Sequence, residues 1–357
     1  MPVGRPSHSL LPMSPTLRVQ FDAACALEDA GDLPGALAAF EGAADAATRE
    51  CAPQAASVAL RYAAVVCHRR GDFQRAEARL AAAVAGARAL HDTRLLAETL
   101  NTAGVFALER GQARVAREHL LDARALSAGH QALRARIEQN LGALASMQGD
   151  DAGVVAHSRA AVEAFEACGD EQGCAKVYHN LGMRCADRGE WTQADAHYRR
   201  ALDIARRIGD THLEGLCLLN LATAAQAADR SSEALSLAES ALEHFERLGT
   251  PADQADARRA MGAVLRAQGR TGEARRRLLE GLDLATQAKA PLIEAEIYEE
   301  LGLVEEAEGA ASDATAAFRR AADMFDWLEV PGASERVAAH LLRIGADAIG
   351  EARAALS

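Results

Sequence analysis

The stretch HNLGMRCADRGEWTQADAHYRRALDIARRIGD, residues 179–210, carries the pattern that decides the fold. Within it Gly189 stands between two apolar-periodic segments, where a left-handed or tight backbone turn costs glycine least. Outward from it, Gly31, Gly71, Gly111, Gly149, Gly269 and Gly309 keep a period of forty residues, with one interval of thirty-eight, and Asp229 fills the single empty slot. Aspartate is among the few side chains that tolerate such a backbone. The period predicts eight helix–turn–helix units.

Three further columns share the period. Five residues after the turn come Ala36, Ala76, Ala116, Ala194, Ala234, Ala274 and Ala314, with Val154 the exception. Seven residues later stand Ala43, Ala83, Ala123, Ala161, Ala201, Ala241, Gly281 and Ala321, and seven before the turn Ala24, Ala64, Gly104, Gly142, Gly182, Ala222, Gly262 and Gly302. Larger residues separate the first two columns, among them Phe40, Leu80, Leu120, Tyr198, Leu278 and Phe318. Small positions alternating with large ones describe helices that interdigitate closely. Composition agrees. Alanine dominates, aromatics are 4%, prolines number 9, and β-branched residues form no alternating runs, so strands have no support.

These columns resemble the tetratricopeptide (TPR) repeat, with its Leu-Gly pair in the first helix (Leu141, Leu181 and Leu301 before their glycines) and its small and aromatic residues in the second. The period is about six residues longer than the usual thirty-four, a form similar to that of spindle-orientation adaptors, kinesin light chains and bacterial TPR regulators. The resemblance implies an all-α, right-handed α-solenoid of about eight repeats over residues 16–330. Residues 1–15, rich in Pro and Ser, are expected to be a flexible tail. Residues 331–357 match no repeat and are expected to form a capping helix, interrupted near Gly345 or Gly350, because the last pair would otherwise expose its stacking face.

A net charge of −12 argues against nucleic acid or an anionic membrane surface as partner. Seven scattered cysteines (Cys25, Cys51, Cys67, Cys168, Cys174, Cys185, Cys217) fit reduced, buried thiols and a cytoplasmic setting better than a disulfide framework. The opening MPVGRPSHSLLPMSPTLR is too broken by proline for a signal peptide. Cys168, Cys174, His179 and Cys185 lack the paired spacing of a zinc knuckle, and GRTGEARRR at 269–277 lacks the Lys-Ser/Thr end of a phosphate loop. Arg275, Arg276 and Arg277 read as a solvated outer face. No cofactor, metal or catalytic group is expected.

The family resemblance implies that the first helix of each repeat lines a concave groove. Taken by helical spacing, its inward candidates are Arg136, Gln139, Asn140, Lys176, His179, Asn180, Asn220, Arg259, Arg266, Glu296 and Glu299, with Glu98 and Asn101 in an earlier unit. Asn140, Asn180 and Asn220 recur at intervals of forty. Such amides can hold the backbone of an extended peptide, or they can tie one helix to its neighbour. The charge along this face, basic at Arg136 and Lys176 and acidic from Glu296 to Glu308, reads either as a field that orients a ligand or as a solvated helix face. The expected function is a non-catalytic scaffold for a peptide or protein segment. The alternative is a peptide- or metabolite-responsive regulatory sensor, as the resembling regulators imply, with its output in a separate polypeptide.

Overall fold

The computed structural model describes residues 13–355. Seventeen helices and no strand occupy these residues. They pair in chain order: α1 (Pro15–Asp29) with α2 (Leu33–Arg49), α3 (Pro53–Arg69) with α4 (Phe73–Ala89), α5 (Thr93–Glu109) with α6 (Ala113–Leu126), and α7 (Gln131–Met147) with α8 (Asp151–Cys168). The series continues with α9 (Glu171–Asp187) and α10 (Trp191–Ile208), α11 (Thr211–Ala227) and α12 (Ser231–Leu248), α13 (Pro251–Ala267) and α14 (Thr271–Ala288), then α15 (Pro291–Ala307) and α16 (Ala311–Trp327). A last helix, α17, spans Pro331–Ala355 and runs through Gly345 and Gly350 without the interruption expected there. Two compact units, Met1–Cys174 and Ala175–Ser357, divide the chain within α9. Of the tail expected over residues 1–15, residues 1–12 lie outside the described residues. Helix α1 already begins at Pro15, capped by Ser14 Oγ, which accepts from the Leu17 N–H at 3.1 Å.

The turns show how so regular a chain is cut into helices. Gly31, Gly71, Gly111, Gly149, Gly189, Asp229, Gly269 and Gly309 all have positive φ, as the period predicts. A second set, unread in the sequence, lies between them: Cys51, His91, Gly129, Gly169, Gly209, Gly249, Lys289 and Glu329. The next residue usually donates back across the left-handed one to a carbonyl five positions earlier, as Asp210 does to Ala205 at 2.9 Å and Ala290 to Ala285 at 3.0 Å. This satisfies a carbonyl that the helix end leaves open. In Gly-Asp turns the same residue also starts the next helix: the Asp210 carboxylate accepts from the Leu213 N–H at 3.0 Å and that of Asp150 from Gly153 at 2.8 Å. Two residues therefore end one helix and begin another. The thirty-eight-residue interval is explained at α6, the shortest helix among these, where His130 donates to Ser127 instead.

Each unit has its own core. In the first, Phe21, Phe40 and Tyr62 meet with ring centroids 5.3 Å apart and anchor a cluster that extends to Phe106, and a second cluster gathers around Leu120, Ile137 and Leu141. In the second, clusters centre on Tyr198 with Phe245, on Leu278 with Ile297, and on Phe318 with Phe325. Helix α17 covers the last of these with Ala333, Val337 and Ile344. The glycines Gly104, Gly182, Gly262 and Gly302 of the first helices each face the large residue sixteen positions on. A Cβ added at Gly302 would lie 2.7 Å from the Phe318 ring, and one at Gly182 2.5 Å from Tyr198. Phe318 cannot yield easily, because His340 of α17 stacks on it at 4.9 Å. In the fourth pair the large residue is missing, and a Cβ at Gly142 would make an ordinary 3.6 Å contact with His157.

These two glycines should respond to the same substitution with opposite signs. Gly302→Ala is expected to cost about 1–3 kcal/mol through overpacking. Gly142→Ala is expected to be neutral or to stabilise by up to about 1 kcal/mol, the helix-propensity gain. Urea unfolding followed by circular dichroism reads both.

Candidate functional site

Substantial contacts that skip an element run between first helices: α3 with α5 and α5 with α7 in the first unit, α11 with α13 and α13 with α15 in the second. Within each unit, first helices therefore converge while second helices spread apart, and the first helices line the inner side. Of the expected site residues, Arg136, Gln139 and Asn140 belong to the first unit, and Lys176, His179, Asn180, Asn220, Arg259, Arg266, Glu296 and Glu299 to the second.

On the inner side of the first unit the polar residues are largely used to join one first helix to the next. Asn140 of α7 donates its amide to Asn101 Oδ1 of α5 at 2.9 Å, and both are buried. Glu98 of α5 accepts from Arg94 on its own helix at 3.1 Å and from Arg61 of α3 at 3.5 Å. Arg136 of α7 lies among the same groups. Burial lowers its pKa, the Glu98 charge opposes that shift, and Arg61 and Arg94 add to it. Gln139 is half-buried.

The inner side of the second unit repeats the theme with other chemistry. Asn220 Nδ2 of α11 lies 2.9 Å from His179 Nε2 of α9. With the amide donating, the ring accepts at Nε2 in its neutral form, and burial lowers the His179 pKa in the same sense, opposed by a hydrogen bond to Asn180 that raises it. Asn180 and Lys176 themselves are exposed. Farther along, Arg259 of α13 pairs with Asp256 at 2.6 Å and with Glu296 of α15 at 3.2 Å, while Arg266 reaches Glu300 at 3.1 Å. Glu299 is gripped by both arms of Arg336 from α17 at 2.6 and 2.8 Å, and Glu306 likewise by Arg343.

The acidic run is thus neither a solvated face nor an open graded field. Its carboxylates are matched by arginines from α13 and α17, and Glu305 and Glu308 by Arg275 of α14. Arg275 is accordingly a packing cation, not part of a solvated outer face, and Arg277 pairs with Glu280 at 3.1 Å. Likewise Asn140, Asn180 and Asn220 do not stand as three equal rungs: two are tied across helices, and Asn180 is exposed beside His179. The missed partners, Arg61, Arg336 and Arg343, had a sequence signal. Arg61 and Glu98, Arg259 and Glu296, Glu299 and Arg336, and Glu306 and Arg343 are all opposite charges thirty-seven residues apart.

Among the described residues no three His, Cys, Asp or Glu side chains gather as metal ligands, and no helix is long and apolar enough to cross a membrane. Cys25, Cys67, Cys174 and Cys217 are buried, whereas Cys51 and Cys168 are exposed, so burial does not account for every thiol. Burial pushes the Cys174 thiol up to about 11 and that of Cys217 up to about 12, which keeps both protonated.

Residues 173–247 match the family model of the tetratricopeptide repeat. No curated protein matches the chain in sequence. Among solved structures, a signal transduction ATPase with numerous domains from Pyrococcus horikoshii, which carries a tetratricopeptide repeat sensor, aligns with a TM-score of 0.69 at 15% identity. That alignment covers 92% of this chain and 50% of the ATPase, so the chain spans half of that relative. A Rap protein complexed with competence and sporulation factor aligns with a TM-score of 0.52 at 12% identity over 93% of this chain and 98% of its own. The apo form of the quorum sensor NprR from B. thuringiensis gives 0.53 at 12% identity over 92% and 98%. At these identities the likeness is one of fold: an all-α helical repeat solenoid.

If Asn140 is a tie between helices, removing it strands a buried partner. Asn140→Ala is expected to cost about 1–3 kcal/mol, and the Asn101→Ala, Asn140→Ala double variant less than the sum of the singles, in a double-mutant cycle of unfolding free energies. His179 supplies a pH signature. Its folded pKa is depressed, so its neutral form supports the fold above the ordinary histidine value, and that support is lost as pH falls through the ordinary value toward the folded one. Unfolding midpoints at pH 7 and pH 5 should differ less in His179→Gln than in the parent chain.

Proposed function

We propose that this array of tetratricopeptide-type repeats is a non-catalytic interaction scaffold that receives a peptide or protein segment on the inner side formed by its first helices. The observation that carries this reading is the division of labour between faces. The small columns and the left-handed turns complete the packing, and the first helices still present exposed polar side chains, Lys176 and Asn180, beside the half-buried His179–Asn220 pair. An extended segment offers unpaired backbone donors and acceptors in a row, which side-chain amides and cations spaced along such a face can satisfy. The Rap protein bound to competence and sporulation factor has the same fold, which supports a peptide as the occupant. Sites for the segment are proposed at Gln139 in the first unit and at Lys176 and Asn180 in the second.

A regulatory sensor is the second reading, favoured by the cross-helix ties themselves. A ligand that exchanges partners with Asn101–Asn140 or His179–Asn220 would alter how successive first helices are held, and so turn binding into a change of shape.

Site-specific photocrosslinking tests the reading. A benzoylphenylalanine at Asn180, on the inner side, is expected to capture a discrete partner segment in cells, identified by mass spectrometry, while one at Glu118 on the outside of α6 captures none. Capture at Glu118 alone would place the working surface elsewhere. Adding the captured segment to the purified chain and recording solution scattering then separates sensor from passive scaffold, since only the sensor changes its profile.

A further inference from the structure

By register α17 is a ninth first helix. Its Ala333, Val337 and Ile344 are buried against α16, and His340 stacks on Phe318. The position forty residues after Gly302 is Leu342. In α9, α13 and α15 that position is the glycine onto which the pair's own second helix presses a large residue: Tyr198 on Gly182, Leu278 on Gly262 and Phe318 on Gly302. On α17 no second helix covers it among the described residues, and Leu342 is 75% exposed, more than any other large apolar side chain described. Seven residues earlier the pattern breaks again. Ala175, Gly215, Ala255 and Ala295 are buried at that position, whereas α17 carries exposed Glu335.

These two departures exclude a further helix of the array's own kind. A large residue lowered onto position 342 would meet a leucine where a Cβ alone already comes within 2.5 Å at Gly182 and 2.7 Å at Gly302, and Glu335 would lose its water. A covering element must be shaped the other way, with small residues opposite Leu342. Helix α17 carries such a surface itself. Ala338 and Gly345 lie four residues before Leu342 and three after it, on the same side of the helix, and both are exposed. The space into which a Cβ on Gly345 would project is empty. A two-fold interface needs a surface complementary to itself. Two α17 helices crossing antiparallel at Leu342 meet that need: each leucine lies over the step from Ala338 to Gly345 of the other copy, where small residues let the axes approach toward about 8 Å.

Charge and area fit the same occupant. Each copy has a net charge of −12, but Arg336 and Arg343 on the flank of α17 are matched by Glu299 and Glu306, so the crossing point is close to neutral. Glu335 lies two turns, about 10 Å, from it, at a rim where the carboxylate keeps its hydration. One helix against one helix stays below the roughly 1,200 Å² of a standard interface, which makes the association reversible and concentration-dependent.

We propose that the Leu342 side of α17 is a homodimer contact, joining two copies of this chain through an antiparallel crossing of their last helices. The contact uses the side of α17 that earlier first helices bury under their own second helix, not the inner side, so pairing and segment binding are separable.

Sedimentation equilibrium of the full chain tests this. The average mass is expected to rise from one chain toward two, with half-assembly at about 10–100 µM. Leu342→Glu and Ala338→Glu are each expected to weaken the pairing at least about tenfold, and Leu279→Glu, at a 47% exposed leucine of α14, to leave it unchanged. Circular dichroism establishes that each variant is folded. In a chain whose exposed Cys51 and Cys168 are replaced by Ser, a short bismaleimide should link Leu342→Cys to its counterpart in the second copy and fail to link Leu279→Cys. A chain that stays monomeric to about 300 µM, a dimer that survives Leu342→Glu, or equal linking at the two positions overturns the assignment.

Discussion

A single left-handed residue closing each helix is the constraint on which the other features depend. It recurs at about twenty-residue intervals, from Gly31 to Glu329, and leaves α1 to α16 at nearly constant length, about seventeen residues or roughly 25 Å. Helices of equal length that reverse within three residues must lie side by side along their whole extent. Close approach is then obligatory, and the small column of each first helix follows from it. Gly182 and Gly302 are occupied by the rings of Tyr198 and Phe318 as completely as a larger side chain would be. The Asp caps that follow the turns serve the same end, since Asp210 satisfies the start of α11 as soon as α10 has ended.

Once packing is complete in that way, the first helices are left with polar side chains close to their counterparts one repeat away. The result is mutual satisfaction more than display. Arg259 with Glu296, Glu299 with Arg336 and Asn101 with Asn140 hold successive first helices in fixed relation. Charge-assisted and bidentate pairs of this sort add geometric definition even where their net stabilisation is modest. What the ties leave exposed on the first helices includes Lys176 and Asn180 in the second unit.

Much of the architecture was legible in the chain because its causes are local. Positive φ at Gly149 or Gly269 needs only the absence of a Cβ, and the small columns need only a helical period. The turns at Cys51, His91, Lys289 and Glu329 were not legible. There a side chain takes up a backbone it does not favour, because the packing of the helices on either side requires the chain to reverse at that point. Spacing placed Asn140, Asn180 and Asn220 on one column of the sequence, but only the partners Asn101 and His179 showed which of these amides are tied to a neighbouring helix.

The sequence by itself determined an all-helical chain of eight pairs at a period of about forty residues and the positions of half its turns, since backbone sterics and helical period act within a few residues. Tertiary structure decided which inward groups are free. Whether Glu299 is an open negative charge or half of an ion pair depends on Arg336, thirty-seven residues away, and an arginine at that distance acts only when the fold brings it within hydrogen-bond reach. The same holds for Arg61, whose burial and contact with Glu98 exist only when α3 and α5 lie together.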